Sequence, residues 1–262
     1  MTLLQATDVG KHFGGVIALS RFSLTIEPGD LLGLIGPNGA GKTTAFNVIT
    51  GVLRPSEGHI AFDGRDVTRA SPERRARLGM VRTFQNIRLF DDLTVRQNVM
   101  AGAHAAASAS PVESVLGLPR GRAAERRIRA IADAMIERTA LEPFAGQTAG
   151  ALSYGDRRRV EIARALAGAP RLLLLDEPAA GMNDSEKHAL SALIDSLNRE
   201  DGLTIVLVEH NITMVAALCR RLVVMNKGEV IAEGAAADVL RQPEVREVYL
   251  GRRRPQGEAA AC

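Results

Sequence analysis

Eight residues, Gly36-Pro37-Asn38-Gly39-Ala40-Gly41-Lys42-Thr43, carry the spacing G-x-x-x-x-G-K-[ST]. Phosphate oxygens need many donors at close range. Gly39 and Gly41 let backbone N–H groups turn inward, and a helix starting after them adds the positive end of its dipole. Lys42 is placed to reach β- and γ-phosphates, and the Thr43 hydroxyl to bind Mg²⁺. A glycine-rich turn can match this spacing by chance. The apolar run Leu31-Leu32-Gly33-Leu34-Ile35 before it and the helix-compatible stretch after it argue against chance. A second chemical feature is the run Leu172–Leu175 ending in Asp176-Glu177. Such a run reads as a parallel strand buried on both faces. Ligands of open α/β sheets sit at the ends of such strands. Asp176 is suited to hold Mg²⁺ through water, and Glu177 to polarise an attacking water. Alone, this pair would be an ordinary strand-to-loop acidic pair; downstream of a phosphate loop it reads as hydrolytic machinery.

The elements that must position these groups follow from the pattern around them. Residues 2–30 hold short alternating segments such as Phe22-Ser23-Leu24-Thr25-Ile26, closed by Pro28-Gly29, and read as antiparallel strands. Helix is expected after the phosphate loop to about Leu53, a turn at Pro55–Gly58, and a strand at Ile60–Phe62 followed by the hairpin signal Asp63-Gly64. From about residue 95 to 150 the character changes. Ala101–Ala109 reads as a helix end running into a flexible link, and Ala123–Ala140 as a helix with Ile128, Ile131 and Met135 at helical spacing. This block reads as a helical insertion. The α/β pattern resumes at Arg171, with an amphipathic helix carrying Leu190, Leu193, Ile194 and Leu197 and a buried strand at Leu203–Val208. Strands alternating with helices predict a mostly parallel core sheet. The tail after Gly251 is polar and expected to be disordered.

Composition narrows the class. The 262 residues are 46% hydrophobic and 24% charged, enough for a normal core, but only 3% aromatic with no Trp. The net charge of +3 comes from clusters at Arg120–Arg129, Arg157–Arg159 and Arg252–Arg254. No aromatics interleave with them to stack bases, so they read as solvated helix faces and no nucleic-acid partner is expected. Cys219 and Cys262 make neither a metal pattern nor a disulfide framework, which fits a reducing compartment. Met1–Gln5 lacks the pattern of a signal peptide. The longest apolar runs fall far below the ~20 residues that span a bilayer. Any membrane role must therefore come through a partner.

Between the two chemical features lies Leu152-Ser153-Tyr154-Gly155-Asp156. In the order phosphate loop, LSYGD, LLLLDE, the chain resembles the ATPase subunit of ATP-binding cassette (ABC) transporters. The resemblance is strongest to the subunit serving branched-chain amino acid uptake in bacteria. It runs from about Leu4 to Gly251, with local echoes at Lys11–Gly15, Arg82-Thr83-Phe84-Gln85, Tyr154–Arg164, Glu177–Asn183 and Val245–Gly251. It implies an α/β P-loop NTPase fold with an antiparallel β part and a helical insertion. One cassette is expected over 1–251 (about 1–94 and 168–251 for core and β part, about 95–167 helical), with a polar tail at 252–262. ATP and Mg²⁺ are the implied cofactors.

The family's roles fall on residues of this chain. Glu177, His210, Gln85 and Lys42 would be catalytic. Phe13 would stack on adenine, and Gly36 to Thr43 with Thr44 would hold the phosphates. Thr43, Gln85 and Asp176 would hold the metal. Ser153 and Gly155 would contact the γ-phosphate held by a second ATPase subunit, identical or related, in a head-to-tail pair. Permease subunits of the membrane would dock near Gln85–Val95, with Leu89 and Phe90 as candidate contacts or simply as core. A solute-binding protein would be an indirect partner. The implied location is the cytoplasmic face of the plasma membrane, as a peripheral subunit. The common signature reads L-S-G-G-Q. Tyr154 is expected in this subfamily, whereas Asp156 and Asn183 depart from the usual Gln and Asp. Relatives importing urea, amides or other amino acids would look similar. Nucleic-acid ATPases of the same class insert long coiled coils where only Thr44–Ala151 intervenes here. Asn226-Lys227-Gly228-Glu229 approaches the guanine-reading N-K-x-D but ends in Glu.

Overall fold

The structure is a computed structural model that describes residues 2–106 and 119–250. Residues 107–109 of the expected link, Gly251, and the tail 252–262 with Arg252–Arg254 and Cys262 lie outside the described residues.

Two sheets form the frame. A four-stranded antiparallel sheet has the order β2-β1-β4-β5, built from β1 (Leu4–Phe13), β2 (Val16–Ile26), β4 (Glu57–Phe62) and β5 (Arg65–Asp66). A six-stranded sheet has the order β10-β9-β3-β8-β7-β6. Its members are β3 (Leu31–Ile35), β6 (Met80–Arg82), β7 (Leu172–Asp176), β8 (Thr204–Val208), β9 (Arg221–Asn226) and β10 (Glu229–Ala235). Only the β9–β10 pair in it is antiparallel. The expected mostly parallel core sheet is therefore present. Every residue of β3, β7 and β8 is buried, which is why these strands read as unbroken apolar runs.

Three apolar clusters fill the molecule. One lies between the two sheets and encloses helix α1 (Lys42–Ile49) through Phe46, Val48 and Ile49. The second lies on the opposite face of the large sheet, under α6 (Asp184–Arg199) and α7 (Ile212–Leu218). The third belongs to α3 (Val95–Ala106), α4 (Pro119–Arg138) and α5 (Tyr154–Ala167), through Val99, Ala103, Ile128, Ala132, Ile136, Val160 and Ala163. Helices α3 and α5 touch at Gly102, where any added Cβ would collide with the Arg164 carbonyl oxygen. Short helices α8 (Ala236–Val239) and α9 (Pro243–Leu250) close the described chain.

Several boundaries differ from expectation, each for a visible reason. Helix α1 stops at Ile49 rather than near Leu53 because Gly51 takes a left-handed φ of 80° and turns the chain back, with Gly51 N donating to Val48 O (3.2 Å) and Leu53 N to Asn47 O (2.9 Å); Arg75 also reaches this last turn. The Arg75 guanidinium donates to Val48 O (2.7 Å), Thr68 O (3.1 Å) and Ala70 O (3.3 Å), and also to Ile49 O. Arg75 sits on α2 (Pro72–Arg77), a helix with no counterpart in the sequence reading, started by a Ser71 cap and Pro72. Strand β4 starts at Glu57 rather than Ile60 because β1 pairs with it from Leu4–Phe62 down to Gly10–Glu57. Helix α4 starts at Pro119 and ends at Arg138, earlier at both ends than Ala123–Ala140.

Candidate active site

The phosphate loop joins β3 to α1, and its shape depends on close backbone contacts. Gly41, the N-cap of α1, has a left-handed φ of 99°, and a Cβ there would stand 2.7 Å from Ala18 O. A Cβ on Gly36 would overlap Met225 O at the end of β9. The turn at Asn226–Glu229 supports the loop from the side: Gly228 N donates to Ala40 O at 2.9 Å, and Gly228 O accepts from Ser20 N at 2.9 Å. That is the structural work of the segment that resembled N-K-x-D. Asn38 and Gly39 face outward and Thr43 is exposed, while Thr44 and Pro37 are half-buried. Lys42 curls back over the loop, donating to Gly36 O (2.7 Å) and Pro37 O (3.0 Å). Burial lowers the Lys42 pKa, and the nearby Glu177 and Asp176 carboxylates oppose that shift. A phosphate would find this ammonium already desolvated and pointed at the loop.

Around Glu177 three expected residues meet. Its backbone has φ of 46°, a left-handed conformation that side chains rarely adopt and that costs about 1–3 kcal/mol. The strand ladder holds it there, with Glu177 N donating to Val208 O at 2.9 Å. Gln85 Nε2 donates to Glu177 Oε2 at 2.8 Å, and His210 Nδ1 lies 3.3 Å from Glu177 Oε1. The carboxylate is thus gripped from both sides, in a position to accept a proton or orient a water. Asp176, buried at the end of β7, accepts from Arg82 Nη2 at 2.6 Å. Thr43, Asp176 and the amide oxygen of Gln85 would offer only oxygen donors, the kind that suits Mg²⁺. Among the described residues no group of three His, Cys, Asp or Glu could hold a metal alone. A cation here needs phosphate oxygens too, which is how Mg²⁺ enters nucleotide sites.

Ser153 and Gly155 do not join this cluster. Ser153 caps α5, accepting from Asp156 N (3.2 Å) and donating to Asp156 Oδ2 (2.8 Å). Asp156 is also paired with Arg159. So the Asp that departs from the common signature completes a helix start. A Cβ on Gly155 would stand 2.7 Å from Glu186 Oε1. Glu186 in turn forms a capping box with Asn183, whose side chain accepts from Glu186 N at 2.9 Å. Asn caps a helix as well as Asp does, which accounts for the second departure. The Tyr154 ring lies over Gly181 and beneath the Arg158 guanidinium. Phe13 stands at the β1–β2 turn, 46% exposed, with Lys11 Nζ 5.1 Å from its ring centre. Phe90 is 56% exposed, whereas Leu89 packs into the helical core, so only Phe90 stays available to a partner.

Besides Arg75, four buried charged residues, Arg82, Arg158, Glu161 and Glu209, had no role in the sequence reading. Arg82 appeared there only as part of a family echo. Arg158 donates to Phe84 O and Gln85 O, both at 2.8 Å, and pairs with Glu161 at 2.6 Å. Burial raises the Glu161 pKa, against the pull of Arg158. Glu209 accepts from Ala179 N at 2.9 Å, and burial raises its pKa as well. Its only sequence signal was a carboxylate directly after the apolar strand Thr204–Val208.

The ABC transporter family profile matches residues 19–180, and the branched-chain amino acid ATP-binding cassette transporter profile matches residues 229–254. The high-affinity branched-chain amino acid transport ATP-binding protein BraF of Pseudomonas aeruginosa is 38% identical over 95% of this chain and 98% of its own. The lipopolysaccharide export system ATP-binding protein LptB of Haemophilus influenzae is 35% identical over 96% and 98%. Among solved structures, a nucleotide-free ATP-binding cassette from an ABC transporter superposes with a TM-score of 0.83 at 33% identity, covering 96% of this chain and 100% of that one. A dimeric cassette, MJ0796, in a post-hydrolysis state with ADP and Pi, superposes with a TM-score of 0.75 at 26% identity, over 89% and 98%. Phosphate loop, acidic strand end and capped signature helix thus stand on a shared cassette fold, and the chain belongs to the ATP-binding, ATP-hydrolysing subunits of ABC transporters, in their branched-chain amino acid group.

Proposed function

We propose that this chain powers a bacterial importer of branched-chain amino acids from the cytoplasmic face of the plasma membrane. The observation that carries the hydrolytic part is the meeting of Gln85 and His210 on the two oxygens of Glu177, one residue after Asp176. Loop amides from Gly36 to Thr44 and the Lys42 ammonium bind the β- and γ-phosphates, and Phe13 stacks on adenine. Glu177 orients the attacking water and accepts its proton, while His210 steadies that carboxylate and the γ-phosphate. Thr43, Asp176 and Gln85 would hold Mg²⁺, which supplies charge neutralisation at the phosphates.

The site is completed in trans. Ser153 and Gly155, at the start of α5, face the nucleotide of a second subunit, identical or related. The helical block at about 95–167 carries this signature as a subdomain beside the core at about 1–94 and 168–251. The permease docks at Gln85–Val95, with exposed Phe90 as an anchor, and a solute-binding protein acts from the far side of the membrane. No described helix is long and apolar enough to cross a bilayer, in keeping with a peripheral subunit. A second reading, transport of another solute, is favoured by the similarity to an export-system protein at 35% identity. The test is Glu177→Gln in the complex with its permease. ATP binding should persist, a closed dimer should accumulate on sizing columns, and hydrolysis and leucine uptake should fall by ~100-fold or more. Parental turnover in that variant would refute the role of Glu177. Intact hydrolysis in the parent without stimulation by leucine and its binding protein would refute the substrate.

A further inference from the structure

Arg82 is buried at the end of β6, with 8% of its side chain exposed. Its guanidinium spans two elements. Nη2 donates to Asp176 Oδ2 and Nη1 to Asn47 Oδ1, both at 2.6 Å. Phe46 and Phe84 flank it, with ring centres 5.6 and 5.3 Å from Cζ. Asn47 lies on α1 one turn after Thr43, so both point from the same face of that helix. The fork therefore ties the helix that carries Thr43 to the strand that carries Asp176. It also occupies Oδ2 of Asp176, which leaves Oδ1 as the oxygen free to turn toward the phosphates. Lysine could not do both, because a point ammonium lacks the planar fork.

We propose that Arg82 is a positioning residue for the metal: it fixes the spacing and orientation of Thr43 and Asp176 so that both engage one Mg²⁺ ion. The inference rests on the Mg²⁺ reading given above. It runs against simple electrostatics, since a cation next to a metal site weakens metal binding. The two effects predict opposite signs, which makes the proposal decidable. Groups that orient metal ligands typically change metal affinity by 10–100-fold when removed.

The test compares Arg82→Gln, Arg82→Lys and Asn47→Ala with the parent, using the full chain. Half-saturating Mg²⁺ for ATP hydrolysis is measured, together with binding of a fluorescent ATP analogue in EDTA and in Mg²⁺. Positioning predicts that half-saturating Mg²⁺ rises about tenfold or more in both Arg82 variants and severalfold in Asn47→Ala. Affinity in EDTA stays close to the parental value, while the gain on adding Mg²⁺ shrinks. A fall in half-saturating Mg²⁺ in Arg82→Gln, no change in any variant, or an equal loss of affinity with and without Mg²⁺ would each overturn the proposal. If neither Arg82 variant folds by circular dichroism, Asn47→Ala decides alone, and an unchanged Mg²⁺ requirement there counts against it. Absence of Mg²⁺ dependence in the parent would instead strike the metal reading itself.

Discussion

Replacing Arg75 by methionine keeps the bulk of the side chain but removes the group that closes the end of α1. In the native fold the guanidinium satisfies four carbonyls, and Arg75 is 1% exposed. Thr68 and Ala70 are half-buried and can turn to water, so their loss costs little. Val48 and Ile49 are buried in the last turn of α1 and cannot. Val48 O keeps Gly51 N as a donor at 3.2 Å and loses one hydrogen bond, worth about 1 kcal/mol, whereas Ile49 O is left unpaired at a cost of about 1–3 kcal/mol. Removing a buried charge returns part of this, because ions pay a desolvation penalty in the interior. The expected net loss is therefore about 2 kcal/mol, a large share of the ~5–15 kcal/mol that stabilises a typical fold. For a chain of this size the melting midpoint should drop by roughly 4–8 °C. Urea unfolding followed by far-UV circular dichroism checks the figure: the midpoint should fall with the slope unchanged. A loss below about 1 kcal/mol would refute the argument, since it would mean that water reaches the carbonyls and the arginine is not their cap.

Two further outcomes follow from buried titratable groups. Burial holds the Glu209 pKa above its ordinary value, so the folded state binds this proton more tightly than the unfolded chain does. Stability from that proton is complete below the unfolded value and is lost as pH rises through the folded value. Glu209→Gln removes the loss, so the melting midpoint of the variant relative to the parent should rise between pH 5 and pH 8; a relative fall would contradict the assignment. The Cys219 thiol is pushed up to about 12 by burial. In a Cys262→Ser background, its reaction with a thiol reagent at pH 8 should run ~1000-fold slower than that of a free thiol and climb about tenfold per pH unit while the fold holds. Stoichiometric labelling within a minute at pH 8 would show the thiol to be accessible.

The features legible in the sequence were local ones. The phosphate loop, the acidic end of β7 and the LSYGD segment each declare themselves within eight residues or fewer, because backbone shape and chemistry there depend on adjacent positions. Arg75, Arg82 and Arg158 were not legible, because their partners Val48, Asp176 and Phe84 lie 27, 94 and 74 residues away. An arginine in a charged stretch looks solvated until the fold brings carbonyls or a carboxylate to it. Asp156 and Asn183 looked like departures from a motif. Only the helix boundaries beside them reveal Asn183 as a cap and Asp156 as the partner of the Ser153 cap. The start of α4 was missed because Pro119-Arg120-Gly121-Arg122 offers no apolar spacing, and Ile128 supplies the first deeply buried aliphatic side chain of that helix.

The contact between Gly102 and the Arg164 carbonyl has a mechanical reading. Two helices separated by flexible side chains can absorb a small push by switching rotamers, so the displacement dies out within the interface. Here backbone meets backbone with no Cβ between, and close-packed atoms of that kind compress very little. Helix α3 begins just past the surface loop that bears Phe90, and α5 begins at Tyr154, capped by Ser153. At that point the pair has little slack, so a displacement of α3 is passed to α5 rather than absorbed by a rotamer change.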